Sequence, residues 1–140
     1  MRFTGMAAIV SILIAPHAAT ADIKRHKAIP EAFWGEWIAG GQSCTKNDQP
    51  PLSITASAYS RADSRCTIDW VDETAGRAGA IYSAHLRCSS GEQPQPSVAN
   101  LILVSREDGM ISLGADFKSL QSYQRCPAGA EPRPHIGGPE

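Results

Sequence analysis

CTIDWVDETAGRAGAIYSAHLRC, residues 66–88, is the stretch whose reading decides the fold. With Gly76-Arg77-Ala78 as the loop of a hairpin, Cys66 lies opposite Cys88, Ile68 opposite Leu86, Trp70 opposite Ala84 and Asp72 opposite Tyr82. Side chains alternate across a strand, so these pairs share one face, and most are apolar. Thr67 with Arg87, Asp69 with His85 and Val71 with Ser83 form the other, more polar face. One register accounts for the hydrophobic pattern and brings two cysteines together, whereas a slip by one residue loses both. The register predicts a Cys66–Cys88 disulfide and leaves Cys44 to pair with Cys126.

Working outward, short runs with period-two alternation or β-branched enrichment recur at 33–39, 52–59, 65–72, 80–88, 98–106, 110–117 and 119–125. Gly40-Gly41, Pro50-Pro51, Gly76, the stretch 91–96 and Asp108-Gly109 punctuate them. Asp108-Gly109 reads as a type I′ hairpin turn. No window carries a sustained helical stripe. The expected fold is all-β: a small antiparallel up-and-down barrel or half-barrel of about seven strands, stapled by disulfides. A Cys44–Cys126 bond would tie the exit of the first strand to the end of the last and hold such a sheet shut.

The N-terminal residues explain why the cysteines are read as bonds. Arg2, the apolar run 6–14 and Ala19-Thr20-Ala21 reproduce the three parts of a secretory signal, with cleavage before Asp22. The run is too short to cross a bilayer, which takes roughly 20 residues of helix, so no membrane anchor is expected after cleavage. An even cysteine count in a small exported chain predicts two disulfides. The expected location is periplasmic or secreted. The expected organisation is a signal peptide at 1–21, an N-terminal arm at 22–32, a single β-domain at 33–126 and a disordered, proline- and glycine-rich tail from 127 to 140.

Without Arg2 the net charge moves from −1 to −2, which gives no field for nucleic acid or an anionic membrane. No basic stripe interleaves with aromatics, so no nucleic-acid partner is expected. His26 and His135 have no neighbours at metal-ligand spacing, and the cysteine spacings do not suit zinc; no cofactor is expected. Asp69 facing His85, with Ser83 nearby, is the one arrangement approaching a nucleophilic set, and it is read instead as a solvated cross-strand pair. The expectation is a monomeric, non-enzymatic protein. Lys24, Arg25 and Lys27 in the arm are candidate contacts for a partner.

Phe33-Trp34-Gly35-Glu36-Trp37 resembles the Gly-x-Trp opening of lipocalins and the wider calycin barrels. That resemblance implies a barrel in which Trp37, following Gly35, plugs one end and Arg125 of the last strand closes over it by cation–π contact. The chain is shorter than a typical lipocalin and lacks the further motifs of that family, which argues against a roomy ligand cavity without deciding whether the barrel interior is filled or hollow. The Phe-x-Gly-x-Trp opening and Arg125-Cys126-Pro127 are similar to uncharacterised exported small β-barrel proteins of proteobacteria. The opening is also similar, more distantly, to bacterial metalloprotease-inhibitor barrels, which implies an arm that enters a protein partner's cleft. The function expected is an exported binding or inhibitor-type module whose partner is an unknown protein or small molecule in the envelope. The alternatives are a structural, envelope-associated protein and a small-ligand carrier of lipocalin type.

Overall fold

The computed structural model describes residues 22–45, 50–93 and 95–127; the expected signal at 1–21 and the tail beyond Pro127 lie outside them. Nine strands follow in order: β1 (Lys24–His26), β2 (Gly35–Ala39), β3 (Leu52–Ile54), β4 (Ala58–Arg61), β5 (Ser64–Gly76), β6 (Gly79–Ser89), β7 (Ser97–Ser105), β8 (Ile111–Gly114) and β9 (Gln121–Arg125). A single 3₁₀ turn, Glu31–Phe33, precedes β2. Strands β2 to β9 pair antiparallel with their sequence neighbours, and β2 pairs with β9, closing an eight-stranded up-and-down barrel. β1 is additional. It lies along the overhanging half of β5, with Arg25 opposite Asp72.

The strand count thus exceeds the expected seven for two reasons. Residues 52–59 are not one strand but the start of a hairpin, β3–β4, turning at Thr55-Ala56-Ser57. That turn contains no glycine or proline. Its closure comes from the Thr55 amide donating to the Ala58 carbonyl and the Ala58 amide donating to the Thr55 hydroxyl. The second reason is β1: residues 22–32, expected as an arm ahead of the domain, are built into it. After β1 the chain is pinned by the Ile29 amide, which donates to the Ala56 carbonyl, and Ile29 is buried in the core.

The β5–β6 hairpin follows the expected register from Cys66 opposite Cys88 to Ile68 opposite Leu86. A bulge at Asp69 then shifts it, so Trp70 faces His85, Val71 faces Ala84 and Asp72 faces Ser83. The unbroken register would carry the bulky Trp70 inward opposite Ala84, toward the end that Phe33 and Trp37 already fill. One extra residue turns Trp70 and Asp72 outward and brings Val71 in against Ala84, both fully buried. The connecting turn is two residues, Arg77-Ala78, rather than three.

At the β7–β8 turn, the Arg106 amide donates to the Met110 carbonyl and the Gly109 amide to the Arg106 carbonyl. The loop is therefore three residues long, with Gly109 at φ +76°, not the two-residue type I′ turn expected. Residues 110–117 and 119–125 give the shorter strands β8 and β9. Both predicted disulfides are present, Cys66–Cys88 and Cys44–Cys126, and they suggest an oxidising environment.

Candidate functional site

The two ends of the barrel differ in what fills them. At the end where the chain enters, Ile29, Phe33 and Trp37 are almost wholly buried among Leu52, Ile54, Val71 and Leu103. The Trp37 indole N–H donates to the Phe33 carbonyl at 2.8 Å. Trp37 and Arg125 are paired across β2 and β9, and the Arg125 guanidinium carbon sits 4.3 Å from the Trp37 ring centroid. That guanidinium also donates to the carbonyls of Trp34 and of Ala32, the latter at 2.9 Å. Gly35 has φ +127°, and a Cβ there would fall 2.7 Å from Arg125 Nη1. The structure therefore brings Gly35, Trp37 and Arg125 together.

The opposite end carries the β4–β5 and β8–β9 turns and is hollow. A cavity of ≈ 630 Å³ opens there. Its walls are the buried side chains of Cys66, Leu86, Leu101, Leu113 and Tyr123, with Tyr59 and Cys88 half-buried beside them. Its rim is polar and exposed, and includes Arg61, Asp63, Ser119 and Gln121. Around the cavity the inward positions are Leu86 and Cys88 on β6, Ala99 and Leu101 on β7 and Leu113 on β8, smaller side chains than the Phe33 and Trp37 that fill the other end. The Cys66–Cys88 bond forms part of the wall.

Burial pushes the Tyr59 hydroxyl above the usual phenol range, partly offset by the neighbouring Arg61 guanidinium. Tyr59 therefore remains a protonated donor at the cavity. Ala62, between the two charged rim residues, adopts φ +49°, a left-handed conformation uncommon for alanine. In the β8–β9 turn the Asp116 carboxylate accepts the amides of Ser119 and Lys118, each at 2.9 Å, and the hydrogen bonds from Ser119 lead in holding its pKa below the usual range.

The remaining candidates are dispersed. Asp69 does not face His85; it pairs with Arg87 at 2.8 Å. His85 stacks on Trp70 with ring centroids 4.3 Å apart and approaches Asp72 at 3.2 Å. Asp72 also accepts from Arg25 at 2.9 Å and from the Trp70 indole at 3.3 Å, and the Arg25 bond leads in holding its carboxyl below the usual range. Arg25 is thus engaged within the fold, while Lys24 and Lys27 are exposed. His26 contacts Glu73 at 2.6 Å. Among the described residues no three His, Cys, Asp or Glu side chains are placed to hold a metal ion, and no helix is long and apolar enough to cross a membrane.

The fold and cavity define a small disulfide-bonded β-barrel, plugged at one end and cupped at the other. Comparison with protein-family models, with curated proteins and with solved structures returned no match. The cup residues Tyr59, Arg61, Leu101 and Tyr123 were not singled out from sequence. Alternation on β4, β7 and β9 could have pointed them inward, but not whether the space between them was filled.

Proposed function

We propose that this protein is an exported, non-enzymatic binding barrel that holds one small, largely apolar molecule in its open cup. The observation that carries this reading is the ≈ 630 Å³ cavity with an apolar wall and a polar rim, a size and lining typical of small-molecule sites, which run roughly 300–1,000 Å³. The secretory pattern at the N-terminus and the two disulfides support a periplasmic or secreted location. The inhibitor-type reading has less support, because the segment that would act as a free arm is a strand of the sheet.

The test is titration of the disulfide-bonded protein with the uncharged fluorescent probe N-phenyl-1-naphthylamine. Saturable enhancement at about one probe per chain is expected, and Leu101→Trp, which fills the cup, should abolish it while far-ultraviolet dichroism stays unchanged. Absence of saturable binding, or binding indifferent to the filled cup, would contradict the proposal.

A further inference from the structure

Resting on the cup as the binding site, we infer that its ligand is an amphiphile with an anionic head, a carboxylate or a comparable oxyanion. Arg61 and the Tyr59 hydroxyl would receive the head at the mouth, and the apolar body would lie against Leu86, Leu101 and Leu113.

Two side chains lining the cup carry full charge, Arg61 and Asp63. Ala62, at φ +49°, lies between them, and Ala62-Asp63 form the turn from β4 to β5. Arg25, Arg87 and Arg106 each have a carboxylate partner. Arg61, Arg65, Arg77 and Arg125 have none among the described residues, and of these Arg61 is the one that lines the cup, with Asp63 two positions away. A guanidinium without a carboxylate partner, beside a phenol that keeps its proton, offers several donors to an oxyanion. A carboxylate offers the guanidinium fork two acceptor oxygens and a full opposite charge, where a hydroxyl offers one neutral oxygen. Asp63, exposed on the same turn, sets a mild repulsion that the bound head must overcome.

The experiment is calorimetric titration of the intact, disulfide-bonded protein with dodecanoate and, separately, dodecanol at about pH 8, where the carboxylate is ionised. The wild-type protein is expected to bind dodecanoate about ten-fold more tightly than dodecanol. Arg61→Gln should remove that preference while leaving dodecanol affinity within about two-fold, and Asp63→Asn should strengthen dodecanoate binding. Equal affinities in the wild type, or a preference that survives Arg61→Gln, would overturn the anionic head and leave the apolar cup standing. Failure to bind either probe would overturn both.

Discussion

Arg125 Nη1 occupies the space into which a side chain at Gly35 would project: a Cβ there would stand 2.7 Å from it. The guanidinium is held on one side by Trp37 and on the other by the carbonyls of Trp34 and Ala32. Two independent constraints therefore act at position 35, the φ of +127° and the close approach of Arg125. Gly35→Ala is expected to cost about 2 kcal/mol, from backbone strain and from displacing the guanidinium. Urea unfolding followed by tryptophan fluorescence measures it. An unchanged midpoint would show that the plugged end tolerates rearrangement.

The two disulfides should differ in what their loss does. Cys66–Cys88 closes a separation of 22 residues and Cys44–Cys126 one of 82. Chain entropy assigns them about 3 and about 4–5 kcal/mol respectively. Paired replacement by alanine, assayed by denaturant unfolding, should follow that order. Only the loss of Cys66–Cys88, which lines the cup, should also weaken probe binding.

Asp72 links β1 to the barrel, and its folded-state pKa lies below the ordinary 3.8. A lowered carboxylate pKa means that the unfolded chain takes up its proton first on acidification. The contribution is fully present above the ordinary value and is lost as pH falls from there through the folded pKa. Stability measured between neutral pH and pH of about 3 should therefore decline, and Asp72→Asn should flatten part of that decline. Hydrogen exchange at Lys24–His26 should quicken in the same variant, because Arg25 loses its acceptor.

Ala62 holds a left-handed conformation on the rim of the cup. Ala62→Gly should stabilise the fold by about 1 kcal/mol by relieving that strain. If the strain serves to aim Arg61, the gain will come with weaker dodecanoate binding and unaltered dodecanol binding.

Much of this architecture can be read from residue patterns, and the misses have identifiable causes. Alternation between Cys66 and Cys88 specified the hairpin, its first three pairs and one disulfide, and the other bond followed by elimination. The bulge at Asp69 escaped because alternation assumes an unbroken period of two. The unbroken register placed Trp70 inward opposite Ala84, where the structure has the smaller Val71. The Thr55-Ala56-Ser57 turn escaped because a threonine hydroxyl replaces the usual glycine or proline. β1 escaped because Lys24-Arg25-His26 is polar throughout, and its pairing depends on Asp72 and Glu73 some 47 residues away. The cup was illegible for a different reason. Pattern marks which side chains point inward, but whether they meet depends on the barrel's girth, set by eight strands rather than seven.

The most direct test of the central claim is methyl-resolved nuclear magnetic resonance of the leucine-labelled protein during titration with dodecanoate. Binding in the cup predicts saturable shifts at Leu86, Leu101 and Leu113, which line it, with Leu52, packed beside Trp37 at the plugged end, unmoved. Saturable binding that leaves those three methyls unperturbed, or shifts concentrated at the plugged end, would contradict it.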